Sequence, residues 1–153
     1  VPAGDHWLYS GSMQYMDDAT TMYDVASSYC GSLTDVVFAN VRLPCAPNAE
    51  CYGLTSCQGY TGFLGLFCEQ AIVYVDATTH FLHNGGFNGN SQTYFHNLLM
   101  TIRHELGHTL GFSHSNSGVH AMWNGWDWSG NWGYWTYLAH DVCHVNNLWG
   151  APC

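Results

Sequence analysis

Lysine is absent from this chain, and Arg42 and Arg103 stand alone against 11 acidic residues, for a net charge of −9. So little positive charge excludes nucleic acid and anionic membrane surfaces as partners, because both are gripped mainly through Lys and Arg. No apolar run approaches the ~20 residues that would cross a bilayer. A basic-then-apolar leader is missing too, so the start at Val1 reads as a processed, mature form whose inhibitory propeptide would lie elsewhere. There is no C-x-x-C pair, which removes the usual cysteine zinc sites. Repeats and linker-like stretches are lacking as well. The 153 residues therefore read as one domain, long enough to bury ~68–70% of its unfolded surface.

What the chain does contain is 47% hydrophobic and 16% aromatic residues, which argues against disorder. Seven cysteines (Cys30, Cys45, Cys51, Cys57, Cys68, Cys143, Cys153) point to disulfides in an oxidising, extracellular compartment. Three bridges would leave one thiol over. Connectivity stays open, with two bridges expected: Cys143 to Cys153, and one inside the 45–57 loop.

The most informative string is His104-Glu105-Leu106-Gly107-His108-Thr109-Leu110-Gly111-Phe112-Ser113-His114, which reads H-E-x-x-H-x-x-G-x-x-H. In a chain with 10 His and 17 Gly, its five matched positions would arise by accident roughly once in ten thousand such chains. On a helix, residues four apart differ by ~40° around the axis, so His104 and His108 share a face and can converge on one ion. Glu105 stands one step round, able to reach the open side of that ion without being a ligand. His114 would point elsewhere had the helix continued, so the chain must fold back between His108 and His114. Gly111 is placed for that turn, since a left-handed backbone is cheap only for glycine. Three protein ligands leave a fourth position for water, the pattern of a catalytic zinc with Glu105 as general base and acid.

This extended motif resembles the metzincin clan of zinc endopeptidases. Met122, eight residues beyond His114, matches the place of the clan's methionine turn. The stretch His104 to Met122 looks most like the matrix metalloproteases (matrixins), although Trp123-Asn124 follows the methionine where those have Tyr-Pro. The segment Asp141 to Gly150 is similar to the matrixin terminal helix, and the resemblance implies that Asp141 braces the methionine turn. A helix-start aspartate is the plainer reading of the same residue. By resemblance, Gly62–Glu69 is the sheet edge to which extended substrate adds as a strand. The fold implied is α+β and zincin-like. It comprises a mostly parallel twisted sheet with an antiparallel edge strand, two long helices, and a small irregular C-terminal subdomain ending in a helix. The upper part runs to about residue 114 and the lower part from 115 to 153.

Patterning along the chain places a first strand around Trp7-Leu8-Tyr9. A helix capped by Asp17 or Asp18 follows, with the stripe Met22, Val25, Ala26 and Tyr29. Val36–Ala39 reads as a buried strand and 43–61 as a stapled loop. Two neighbouring strands cover 62–69 and 71–76, and 77–90 reads as a loop. Asn90 or Ser91 then caps the motif helix, whose core stripe is Phe95, Leu98, Leu99, Ile102 and Leu106.

Other histidines read as hydrogen-bonded or exposed: His80 and His83 near Asp76, then His96, His120, His140 and His144. Matrixins carry a structural zinc and calcium near the place of Asp76, but their signature is not reproduced. Calcium at Asp17, Asp18 or Asp76 has no specific motif behind it. The aromatic run Trp123–Tyr137 reads as core filling or, by resemblance, as a pocket wall, with Tyr134 or Tyr137 as a speculative oxyanion donor. The expectation is a secreted, monomeric zinc endopeptidase that acts on proteins or peptides. Two rivals remain: a zinc amidase of peptidoglycan or another non-protein amide, and an aromatic-rich glycan-binding module with structural zinc.

Overall fold

Alternation along a strand decides which side chains meet the helices, and here it places the sheet against the motif helix. The computed structural model describes residues 6–20, 35–44, 51–61, 67–83, 91–116, 120–124 and 136–148. These form α1 (His6–Ala19), β1 (Val36–Asn40), β2 (Gly53–Thr61), β3 (Phe67–Val75), α2 (Ala77–His83), α3 (Ser91–Thr109) and α4 (Ala139–Leu148). The class is mixed α+β. Among the described residues the sheet has three strands in the order β1-β3-β2. Strand β3 pairs parallel with β1 and antiparallel with β2, so the expected antiparallel edge is present, and among the described residues one pairing is parallel and one antiparallel.

On β3, Ala71, Val73 and Val75 are buried, and their partners on β2 are Cys57, Thr55 and Gly53. Paired residues point to one face, so Gly53 and Thr55 face the helices while Leu54 and Tyr60 are exposed. Val73 and Val75 join Leu8 and Tyr9 of α1, Ala77 of α2, and Leu98 and Ile102 of α3 in the main core. The stripe expected on α3 is therefore the one that packs, with Phe95 and Leu99 at its margin. A second cluster holds Met16, Leu106, Ala121, Met122 and Tyr137.

Several sequence readings are corrected. Trp7-Leu8-Tyr9 lies in α1, not a strand: the buried positions Leu8, Tyr9, Ser12 and Met16 recur at helical intervals, outweighing three consecutive apolar residues. Asp17 and Asp18 consequently end a helix instead of capping one; the stripe from Met22 to Tyr29 lies outside the described residues. Half of the expected 43–61 loop is β2, held by pairing to β3 and by the Cys57–Cys68 disulfide across its bulge. Residues 67–69 of the first assigned strand run on without a break into its neighbour at 71–76 as one strand, β3, and 62–66 lie outside the described residues. Residues 77–83 are α2, because Asp76 accepts hydrogen bonds from Thr79 N at 2.8 Å and Thr79 Oγ1 at 2.9 Å and so caps it. Cys51 and Cys143 are also disulfide-bonded. Cys57 pairs with Cys68 and so takes no part in a bridge inside the 45–57 loop, while Cys45 and Cys153, the expected partner of Cys143, lie outside the described residues. Among the described residues no helix is long and apolar enough to cross a membrane.

Candidate metal centre

Helix α3 presents His104 and His108 on one face, and its termination brings the third histidine round. Gly111 has φ of 84°. Its N–H donates to His108 O at 3.0 Å and Phe112 N–H donates to Gly107 O at 3.1 Å. That pair of bonds closes a Schellman turn, so the chain doubles back where the spacing of the histidines requires it. His104, His108 and His114 converge so that one ring nitrogen from each lies within 4.8 Å of the others. Their ring centroids stand 4.8 to 4.9 Å apart. Among the described residues this is the group of His, Cys, Asp and Glu side chains that could hold a metal ion.

Two of the rings are oriented from behind. His104 Nδ1 lies 2.8 Å from Ala121 O and His108 Nδ1 lies 2.8 Å from Phe112 O. A carbonyl can only accept, so each Nδ1 carries the proton and each Nε2 keeps its lone pair for a metal. Such bonds fix tautomer and ring angle in metal-ligating histidines generally. Burial, with the Ala121 bond opposing it, lowers the His104 pKa to about 4; burial also lowers that of His114. Neutral imidazoles are the form that binds metal. The donor set fits a divalent ion.

Glu105 is 7% exposed and faces β2, where Thr55 Oγ1 lies 2.8 Å from its Oε2. Burial pushes the carboxyl up to about 7, while hydrogen bonds from the Thr55 side chain and backbone pull it down. The approach of strand to helix is possible because residue 53 is glycine. A Cβ there would stand 2.5 Å from Glu105 Cγ and 2.8 Å from Thr101 Cγ2. Neither Gly53 nor Thr55 was legible as a site residue, since both lie in what reads as a loop far back in the chain, Thr55 standing 50 residues before Glu105.

Met122 is 1% exposed in a turn closed by Trp123 N–H to His120 O at 3.1 Å. Its sulfur packs where a Cβ on Gly107 would be, which accounts for glycine inside the motif. Ser115 and Trp123 form a bridge, with Ser115 N–H to Met122 O and Asn124 N–H to Ser115 O both at 2.7 Å. The turn thus lies under the helix segment that bears His104 and His108. Asp141 takes the place of a helix-start aspartate, the plainer of its two readings. Its Oδ2 accepts from Leu138 N at 3.3 Å and its Oδ1 lies 3.9 Å from His140 Nδ1, both at the start of α4.

Tyr137 is not an oxyanion donor: its hydroxyl is buried and donates to Arg103 O at 2.6 Å. Tyr134 and most of the aromatic run lie outside the described residues. Asp76 spends its carboxylate on Thr79, on Leu43 N at 3.1 Å and on Arg42 at 3.7 Å. Asp18 accepts from Gln14. His80 is buried against the Tyr52 ring, and the His83 side chain lies outside the description. His120 Nδ1 accepts from Met122 N at 3.2 Å.

No family model, no curated protein and no solved structure matches the chain.

Proposed function

We propose that this chain is a secreted zinc-dependent endopeptidase of metzincin type, closest in its motif to the matrixins. The observation that carries the reading is the convergence of His104, His108 and His114 with the buried carboxylate of Glu105 next in sequence to a ligand. Zinc held there supplies Lewis acidity, polarising a substrate carbonyl and drawing the pKa of a water down towards ~7. Glu105 takes the proton that water gives up on attack and returns it to the departing amine, so no covalent acyl-enzyme forms. Ala121 O and Phe112 O keep two imidazoles in the ligating tautomer. Met122 closes the floor beneath α3 and keeps water from that side. Asp141 serves by starting α4. An extended peptide would add along the outer edge of β2, which has no partner strand among the described residues. Most of the edge expected at 62–69 lies outside the described residues.

The deciding experiment is Glu105→Gln. Zinc content should stay at one per chain, while peptide hydrolysis falls by ~10²–10⁴-fold. Unaltered casein digestion by that variant would overturn the mechanism. Wild-type protein that clears peptidoglycan but leaves proteins intact would replace an endopeptidase with an amidase.

A further inference from the structure

Helix α4 carries a second pair of histidines four residues apart, His140 and His144, on one face. Their ring centroids lie 4.7 Å apart, as close as those of the three converging histidines. Both are exposed, His140 to 75% of its side chain. Asp141 Oδ1, 3.9 Å from His140 Nδ1, adds a negative charge beside them. Neither imidazole has a hydrogen-bonding partner among the described residues, so their nitrogens remain open to solvent and to solutes.

We propose that His140 and His144 form a second, solvent-facing site for a divalent first-row transition ion, held by two imidazole nitrogens with water completing its shell. Among such ions Cu²⁺ binds nitrogen ligands most tightly, and the net charge of −9 concentrates cations near the surface. The site is the weaker of the two. It offers two ligands instead of three, and no carbonyl locks either ring, a support worth ~10–100-fold in affinity elsewhere. An ion bridging the pair clips one turn of α4. The opposite side of that turn packs inward through Val145, which is buried, and Val142, which meets the Met122 and Tyr137 cluster. Occupancy therefore tightens α4 against the core. This site does not depend on the catalytic reading.

The test is a Cu²⁺ titration of the disulfide-intact, chelator-stripped full chain, alongside the double variant His140→Ala with His144→Ala. The wild type should show a weaker class of one Cu²⁺, with electron paramagnetic resonance reporting nitrogen ligands, and slower amide exchange in α4 when it is filled. The double variant should lose that class and the α4 protection, yet keep its near-ultraviolet circular dichroism, since both side chains are exposed. An isotherm identical in the two proteins, or Cu²⁺ that leaves α4 exchange unchanged, overturns the proposal.

Discussion

Thr55 has one hydroxyl proton and two acceptors on the same residue: Glu105 Oε2 at 2.8 Å and Glu105 O at 2.7 Å. Given to the carboxylate, that proton fixes which oxygen remains open for the chemistry; given to the carbonyl, it ties β2 to the α3 backbone. Thr55→Val removes both bonds at nearly constant shape. If the proposed zinc peptidase activity holds, it should lower kcat by about tenfold, equivalent to one hydrogen bond of ~1.4 kcal/mol, with KM little changed, and Thr55→Ser should restore it. Equal kcat values for wild type and the valine variant would leave Thr55 a packing residue. Glu105 and His104 also make opposed contributions to stability in the metal-free protein. The Glu105 pKa is raised from 4.5 to about 7, so the folded state holds its proton more firmly and gains stability as pH falls from 7 to 4.5. The His104 pKa is lowered from 6.5 to about 4, so the unfolded chain binds more protons in that range and stability falls as pH drops from 6.5 to 4. Between 4.5 and 6.5 the two nearly cancel. Thermal unfolding of chelator-treated protein should thus be less steeply acid-sensitive in wild type than in Glu105→Gln, where the contributions of His104 and His114, both lowered by burial, are unopposed by Glu105. The reverse order would show that these two groups do not govern the profile.

At the scale of elements, two glycines let backbone and side chain approach α3 closely, and each is a point of failure. Gly107→Ala gains up to ~1 kcal/mol of helix propensity, but its methyl would overlap the Met122 sulfur and stand 3.0 Å from Tyr137 Cε1 and 3.2 Å from Phe112 Cδ2. All three belong to one packed cluster, and Met122 has no exposed direction in which to retreat. Overpacking of this kind costs ~1–3 kcal/mol, so the variant should be less stable by about 1 kcal/mol in urea unfolding, with the 120–124 turn displaced. A more stable variant would mean that the turn is loosely seated.

The same elements explain what could be read in advance. Helix α3 was legible because burial imposes a period on it, with Leu98, Ile102 and Leu106 recurring every fourth residue; β1 was legible because Val36–Ala39 is continuously apolar, although the strand is half-buried rather than buried, and α4 was legible only through resemblance. Strand β2 was not, since Gly53–Thr61 contains only Leu54 and Tyr60 as large apolar side chains and both face outward. Backbone pairing and a disulfide hold it, and neither leaves a hydrophobic period. The histidines and Gly111 were legible through spacing alone. Thr55 and Gly53 required knowledge of which strand lies over Glu105.

Across the whole molecule, the three converging histidines join two bodies of packing. His104 and His108 ride on α3, whose stripe belongs to the main core through Leu98 and Ile102. His114 belongs to the chain that doubles back and is bridged to the Met122 turn. The main core contains none of the three histidines, and the Cys57–Cys68 bond secures the sheet independently. Metal removal should therefore loosen the molecule unevenly. Chelation should leave the far-ultraviolet circular dichroism of α3 and the sheet nearly intact while amide exchange rises in 112–116 and 120–124. Restoring free zinc to a thousandfold over its dissociation constant should return ~4 kcal/mol of stability, seen as a concentration-dependent rise in Tm. Uniform exchange across the chain after chelation would mean that the metal is integral to the main core, and an unchanged Tm would mean that the three histidines hold nothing.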